Sequence, residues 1–287
     1  MKSFDAQGPR GGMRSGVARA RARMVRSATR AVRVSVLLAL VGGCTRRAPP
    51  PADAPRAADA ESAPHVTADA APPVEAAVPL EAAALDPPGT YMGRRIATPM
   101  SWRGADWLDR PDRDAVQKPE HVLDVLGVRP GMTVADVGCG SGYFTVHLAR
   151  RVGPTGRVIA TDLQQEMLDL LQKKLAKDKL GNVTPVLATP EDAGLPRGLD
   201  LVLMVDVYHE VPSPPLTLGQ IARALRPAGR LALVEYRAED PKVTIKPEHK
   251  TTLVQVRREL EANGFVFVGS DESLPEQRIV TFTPPPR

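Results

Sequence analysis

The chain has 287 residues and a formal net charge of +5 at pH 7, but this charge is unevenly distributed. Residues 1–47 contain eleven Lys/Arg and one acid, whereas the remainder contains 27 basic and 32 acidic residues and is mildly acidic. Because that remainder carries no basic stripe with interleaved aromatic residues, we do not expect it to bind DNA or RNA.

The basic N-terminus is typical of a targeting signal. Arg-rich sequence up to Arg33 is followed by a mostly apolar run over 34–43 and then by Cys44. A run of about ten residues is too short to span a bilayer, which needs about 20, but it suits the core of a secretory signal. The sequence Val41-Gly-Gly-Cys44 resembles the lipobox of bacterial lipoproteins. The resemblance implies a signal peptide at 1–43 and a lipidated Cys44 facing the periplasm. A true start codon downstream of the leader would instead leave the protein in the cytoplasm.

The next segment, 44–88, is dominated by Ala and Pro and has no helical or strand periodicity. Such a composition buries too little apolar surface to offset its ordering entropy, and proline keeps it extended. We predict a disordered tether between Cys44 and a folded domain at 89–287.

The domain opens with an extension at 89–130 that holds both tryptophans of the chain, Trp102 and Trp107. Apolar residues are dense from Tyr91 to Leu108, which predicts either a lid over a site or ordinary packing on a sheet. The stretch from Arg113 to Leu126 has a helical pattern interrupted by Pro119.

Strand and helix patterns then alternate, which predicts a mainly parallel sheet with helices on both faces. The final two strand patterns are separated by a polar turn, which predicts an antiparallel hairpin. The predicted strands are 132–137, 157–162, 183–187, 199–205, 230–236, 264–268 and 278–282, and the predicted helices are 142–151, 164–178, 215–225 and 249–263.

The first of these strands leads into a glycine-rich turn, Asp136-Val-Gly-Cys-Gly-Ser-Gly142. Gly138, Gly140 and Gly142 allow a sharp turn and a close approach of a ligand to the backbone. Asp136 argues against a bare phosphate cradle, because a carboxylate would repel phosphate oxygens. The turn therefore suits a ligand with positive charge or hydroxyl groups.

Asp162 ends the next strand about 20 residues later, where an acid in a βαβ unit can accept both hydroxyls of a ribose. A dinucleotide fingerprint G-x-G-x-x-G requires a small residue at Tyr143 and does not find one. This spacing disfavours a nicotinamide enzyme and leaves a generic strand-to-helix turn as the plainer interpretation.

The G-x-G-x-G turn and Asp162 resemble the cofactor site of class I S-adenosylmethionine-dependent methyltransferases, and the resemblance covers roughly 115–285. It implies an α/β fold with a Rossmann-like doubly wound, mainly parallel seven-stranded sheet and a C-terminal antiparallel hairpin. It also implies S-adenosyl-L-methionine as the cofactor. The cofactor-binding residues it implies are Asp136, Gly138, Gly140, Gly142, Asp162, Glu191, Asp192 and Asp206. In this assignment Asp136 takes the ammonium or braces the loop, Asp162 takes the ribose, and Glu191 with Asp192 lies beside the adenine.

The same resemblance places the end of the fourth strand beside the transferring methyl group. Asp206, Tyr208, His209 and Glu210 follow that strand and are the candidates for substrate contact. The last three are the predicted catalytic residues. His209 is the predicted base because it alone of these residues titrates near neutrality without perturbation; the plainer interpretation is that it caps the loop. Glu235 and His249 are further candidates for the lining of the site. No metal site is predicted.

Within this family the chain looks most like ubiquinone and menaquinone methyltransferases, but it departs from them in its Tyr-His-Glu segment and its N-terminal extension. We predict a methyltransferase that acts on a small-molecule acceptor. The alternative is an inactive envelope lipoprotein that uses the fold as a binding or scaffolding module. The sequence leaves the acceptor and the oligomeric state open.

Overall fold

A computed structural model describes residues 86–286, so the predicted leader and all but the end of the predicted tether lie outside the described residues. The strands are β1 Thr90–Tyr91, β2 Arg94–Arg95, β3 Thr133–Val137, β4 Arg157–Asp162, β5 Val183–Leu187, β6 Leu199–Val205, β7 Leu225–Arg237, β8 Lys250–Thr251, β9 Val266–Asp271 and β10 Gln277–Thr283. The helices are α1 Ala105–Leu108, α2 Arg113–Gln117, α3 Pro119–Val125, α4 Tyr143–Val152, α5 Gln165–Asp178, α6 Pro214–Ala224 and α7 Leu253–Ala262. None of these helices is long and apolar enough to cross a bilayer.

The main sheet has the strand order β5-β4-β3-β6-β7-β10-β9. Strands β3 to β7 are parallel, and β10 runs antiparallel to both β7 and β9. The short strand β8 adds an eighth member by pairing in parallel with β7. The predicted doubly wound sheet with a terminal hairpin is therefore confirmed.

The bounds of β4, β5 and β6 are those predicted, and two other elements differ from prediction for identifiable reasons. Strand β7 begins at Leu225 rather than Arg230 because Leu225 pairs with Leu199 of β6. The last helix begins at Leu253, after β8, because the side chain of Thr252 accepts a hydrogen bond from the amide of Gln255 at 3.0 Å and caps it.

The core lies on both faces of β6, the central strand of the parallel part. Val202 and Met204 belong to an apolar cluster on one face, and Leu201, Leu203 and Val205 belong to a cluster on the other. This alternation follows from the two-residue period of a strand. Because helices cover both faces, the sheet leaves its strand ends as the place for a site.

The strand order reverses between β3 and β6, since β4 and β5 extend the sheet to one side of β3 and β6 extends it to the other. Open α/β sheets bind ligands in the crevice that such a reversal leaves beyond the carboxyl ends of the strands. The glycine turn follows β3 and residues 206–211 follow β6, so both predicted site segments lie at this crevice.

Candidate active site

A cavity of about 590 Å³ occupies the crevice. This volume falls within the usual range for small-molecule sites. Its wall combines backbone of the glycine turn, carboxylates at two strand ends and apolar side chains from the N-terminal extension. Among its lining residues are Gly138, Gly140, Asp162, Asp206, His209, Glu210 and His249.

Two glycines of the turn form part of the cavity wall and adopt conformations that other residues rarely take. Gly138 has φ +69° and Gly140 has φ +52°. A Cβ on Gly138 would lie 2.5 Å from Cγ2 of Val207, and one on Gly140 would lie 2.6 Å from Cδ1 of Leu108. Both positions therefore require glycine on grounds of conformation and space.

Gly142, the third glycine of the turn, is not among the residues that line the cavity. It has φ +86° and precedes helix α4, and a Cβ there would lie 2.3 Å from Cδ1 of the buried Leu171. We therefore assign Gly142 to packing between the turn and helix α5, which corrects its predicted contact with the cofactor.

Asp162 lines the cavity and is only 8% exposed. Its Oδ2 accepts a hydrogen bond from the amide of Gly140 at 2.9 Å, and its Oδ1 accepts one from the amide of Gln164 at 2.9 Å. Burial raises the pKa of Asp162, while these amides oppose that rise. Each oxygen keeps a further lone pair, so the carboxylate can brace the turn and still accept from a ligand diol.

Asp136 is buried but is not among the lining residues of the cavity. Its Oδ2 accepts a hydrogen bond from the Thr145 hydroxyl at 2.5 Å, which links strand β3 to helix α4. Burial raises its pKa to about 6. Of the two roles predicted for Asp136, bracing is the one that this position supports.

Asp206 lines the cavity with φ +56°, a left-handed conformation that aspartate tolerates better than most residues. Its Oδ2 accepts from the side-chain amide of Gln117 at 2.8 Å, and its Oδ1 accepts from that of Gln277 at 2.6 Å. Burial raises the pKa of Asp206 to about 6, and the nearby charge of Glu235 adds to the rise.

Arg113 is a cavity residue that the sequence analysis missed. It is 6% exposed, and its guanidinium carbon lies 4.1 Å from the centre of the Tyr143 ring. Burial lowers its pKa, whereas the charge of Asp206 opposes that change. No pattern distinguishes Arg113 from the solvated arginines of other helices, so only the fold reveals it.

The structure does not support the predicted adenine contacts of Glu191 and Asp192, because both side chains are exposed and neither residue lines the cavity. Asp192 instead accepts from the amide of Gly194 at 2.9 Å within its own loop. Thr189 and Ala193 line this part of the cavity. The predicted loop therefore reaches the cavity, but Glu191 and Asp192 within it do not line the cavity.

Tyr208 also departs from its predicted catalytic position. It is 1% exposed, belongs to the apolar core and is not a lining residue. Its hydroxyl donates a hydrogen bond to Glu259 at 2.8 Å. Because the turn over Tyr208–Glu210 is helical, neighbouring side chains diverge, and Tyr208 points away from the site that His209 and Glu210 line.

His209 is 2% exposed and is oriented by the fully buried Glu235. Its Nδ1 lies 2.5 Å from Oε2 of Glu235, while Oε1 of Glu235 accepts from the amides of Val207 and Tyr208 at 3.2 and 2.9 Å. Burial lowers the pKa of His209, but the charge and hydrogen bond of Glu235 raise it, and the net change is upward. When Nδ1 donates its proton to Glu235, Nε2 keeps a lone pair, which can accept a proton or bind a metal ion.

His249 and Glu210 stand beside this nitrogen. Nε2 of His209 lies 3.1 Å from Nδ1 of His249 and 3.9 Å from Oε1 of Glu210. Burial, followed by the charge of His209, lowers the pKa of His249. Burial raises the pKa of Glu210 to about 7.

The N-terminal extension covers one side of the cavity through Met100, Trp107 and Leu108. Gln164, two residues after Asp162, donates to the carbonyl of Met100 and accepts from the amide of Trp102, both at 2.8 Å. The extension is thus hydrogen-bonded to the segment that carries Asp162 and forms part of the cavity wall.

Comparison with known proteins points to methyltransferases. Residues 129–269 match the model of a family described as a methyltransferase domain. The chain is 32% identical to a ubiquinone/menaquinone biosynthesis C-methyltransferase of Hydrogenovibrio crunogenus over 118 residues, which make up 40% of this chain and 46% of that protein. It is 35% identical to the nocamycin O-methyltransferase of Saccharothrix syringae over 113 residues, which make up 39% and 40% of the two chains. The chain thus spans less than half the length of these curated relatives.

A crystal structure of an S-adenosylmethionine-dependent methyltransferase from Aquifex aeolicus is 29% identical, with a TM-score of 0.61. The similarity covers 64% of this chain and 98% of that chain. Together with the domain match, it supports a class I methyltransferase domain. The fold and these relatives imply S-adenosylmethionine as the cofactor.

Proposed function

We propose that the folded domain is an S-adenosylmethionine-dependent methyltransferase that acts on a small-molecule acceptor. The observation that carries the proposal is Asp162, a buried carboxylate that lines the cavity and is bonded to the adjacent glycine turn. A generic strand-to-helix turn needs no carboxylate of this kind at a cavity wall. The alternative of an inactive binding module gains no support from an open cavity with this group in place.

The lining residues fit the chemical groups of the cofactor. Asp162 would hold the ribose hydroxyls through its remaining lone pairs. Arg113 is a buried cation suited to the methionyl carboxylate, and Asp206 is an acid suited to the ammonium. Thr189 and Ala193 would lie beside the adenine. When bound, S-adenosylmethionine supplies a methyl carbon activated by its sulfonium.

The chain itself would orient the acceptor and exclude water from it. His209 and Glu210 offer polar contacts at the end of β6, while Met100, Val211 and Pro212 add apolar surface to the same cavity. We therefore propose an acceptor that is partly apolar and carries a polar group near the reacting atom. The two curated relatives are named for carbon and oxygen methylation, respectively.

Calorimetry with S-adenosylmethionine and its demethylated product tests the proposal. We expect both to bind the wild-type protein, and we expect Asp162→Ala to weaken binding by about 100-fold, since a paired acceptor worth about 3 kcal/mol is removed. Asp169→Ala, at an exposed acid on helix α5, is the matched control and should bind normally. Absence of binding by the wild type, or normal binding by Asp162→Ala, would overturn the proposal.

We also propose that the chain is a lipoprotein of the bacterial cell envelope, anchored through Cys44 and facing the periplasm. This proposal rests on the leader 1–43 and the Ala/Pro-rich tether 44–88, both of which are sequence features. A downstream start codon is the competing interpretation, and it would place the domain in the cytoplasm.

A further inference from the structure

Three side chains of the kind that bind metal ions converge on one wall of the cavity: His209, Glu210 and His249. Nε2 of His209 lies 3.1 Å from Nδ1 of His249, and Oε1 of Glu210 lies 3.9 and 3.7 Å from these two nitrogens. A point equidistant from the three atoms lies about 2.1 Å from each, which is the length of a zinc–nitrogen or zinc–oxygen bond. We propose that His209, Glu210 and His249 bind a divalent metal ion of the zinc type.

The environment of His209 supports a ligand role. Histidines that bind metals usually donate their second ring N–H to a carboxylate, which fixes the tautomer and the ring orientation. Nδ1 of His209 has such a partner in Glu235, and Glu235 is itself held by two backbone amides. The nitrogen left for the ion, Nε2, is the one that faces His249 and Glu210.

The fold holds the ligands in place from two directions. The carbonyl of His209 accepts hydrogen bonds from the amide of Ala97 at 2.9 Å and from Nη1 of Arg94 at 3.1 Å. His249 directly precedes strand β8, in which Lys250 pairs with Tyr236 of β7. This pairing sets His249 beside Glu235, the residue before Tyr236. The short strand β8 therefore fixes the position of His249 in the proposed metal site.

The local charge also favours a cation. Two carboxylates, those of Glu235 and Glu210, lie 2.5 Å from Nδ1 and 3.9 Å from Nε2 of His209. An ion between Glu210 and the two imidazoles would offset the negative charge of these carboxylates. Two imidazoles and one carboxylate favour zinc over magnesium, which prefers oxygen ligands alone.

Three protein ligands leave a coordination position open, as in catalytic zinc sites. Since all three ligands line the cavity, that position is accessible from it. Where the proposed methyltransferase function holds, the open position would take an oxygen of the acceptor, such as a hydroxyl or a carboxylate. His209 would then act as a ligand rather than as the base predicted from the sequence.

The test uses the purified full chain, freed of metal with EDTA, and titration calorimetry with Zn²⁺ alone. We expect one Zn²⁺ per chain, and we expect His249→Ala and Glu210→Gln each to weaken binding at least 10-fold. Glu235→Gln should also weaken binding by about 10- to 100-fold, because it alters the partner of a ligand rather than a ligand. His147→Ala is the matched control, since His147 pairs with Glu120 at 2.7 Å and lies outside the cavity.

Two outcomes would overturn the site: a wild-type chain that binds no Zn²⁺, or unchanged Zn²⁺ affinity in both His249→Ala and Glu210→Gln. Circular dichroism of each variant identifies misfolding. If Glu235→Gln fails to fold, the test is made with His249→Ala, because His249 is less buried. A separate titration of the metal-free chain with S-adenosylmethionine measures cofactor binding independently of the metal. Cofactor binding without Zn²⁺ binding refutes the metal site alone, whereas Zn²⁺ binding without cofactor binding refutes the methyltransferase proposal alone.

Discussion

Asp136 illustrates how the position of a single carboxyl group changes what that group does. It lies at the end of β3 next to the glycine turn, yet it is 2% exposed and bonds to Thr145 rather than lining the cavity. Its protonated form is favoured because burial penalises the charge. The residue therefore affects stability more directly than it affects ligand contact.

This burial makes a prediction about pH. The pKa of Asp136 is raised from 3.8 to about 6 in the folded protein. Its contribution to stability is therefore fully present below the unfolded pKa and is lost as the pH rises through the folded pKa. The full difference corresponds to about 3 kcal/mol of unfolding free energy between a pH well below the unfolded pKa and a pH well above the folded pKa.

Asp136→Asn keeps an acceptor for the Thr145 hydroxyl but cannot ionise. Urea unfolding at pH 5 and pH 8 should show a variant that is more stable than the wild type at pH 8 and that depends less on pH. Asp169→Asn, at an exposed position, serves as the control. An equal loss of stability in Asp136→Asn and wild type between the two pH values would contradict the argument.

At the residue scale, the sequence identified residues of the cavity wall where backbone position alone decides the outcome, while their contacts with a cofactor stay predictions. Gly138 and Gly140 lie in the sharp turn after β3 and Asp162 ends β4, and these backbone positions alone place them at the cavity wall. Tyr208 and His209 show the limit, because adjacent residues on one helical turn point in different directions. The proximity of His249 to His209 is equally hidden, since 40 positions separate them in the chain.

At the scale of elements, the βα units were predictable because their apolar patterns extend over many residues and their ends are marked by glycine or acid. Strand β8 was not predictable, because two residues are too few to show a periodic pattern. It formed where the start of a helix was predicted. The N-terminal extension was open between two interpretations. It contacts Gln164 and lines the cavity wall, so both interpretations stay predictions.

The position of Trp107 on the cavity wall leads to a spectroscopic prediction. Trp107 lines the cavity and is 57% exposed, whereas Trp102 is not a lining residue. Because a ligand in the cavity would displace water from Trp107, S-adenosylmethionine should change the tryptophan fluorescence. Trp107→Phe should abolish the change and Trp102→Phe should retain it. A change that survives in Trp107→Phe and is lost in Trp102→Phe would show that the extension does not cover the ligand as described.

At the scale of the whole molecule, the sequence divides into a basic N-terminus and a mildly acidic remainder. The described residues, 86–286, belong to the second part. The leader and its cysteine lie outside them, so the predicted anchoring at Cys44 stays a prediction. The same holds for the disordered state of the tether.

Anchoring has a direct test in bacterial cells. The full chain should fractionate with membranes, and globomycin, which blocks lipoprotein signal cleavage, should cause a larger precursor to accumulate. Cys44→Ser should release the protein from the membrane fraction and remove the response to globomycin. Cys139→Ser is the matched control, since Cys139 is buried in the folded domain. A wild-type chain that stays in the soluble fraction and accumulates no precursor with globomycin would instead favour a downstream start codon.

Asp206 joins residues from distant parts of the chain. Gln117 of helix α2 and Gln277 of strand β10 both donate hydrogen bonds to its carboxylate, and its backbone is left-handed. The order of synthesis thus matters for the cavity. A nascent polypeptide can build the βα units early, but the ribosome must add residue 277 before this carboxylate gains its second donor. Competence to bind a ligand should accordingly arise among the last events of maturation.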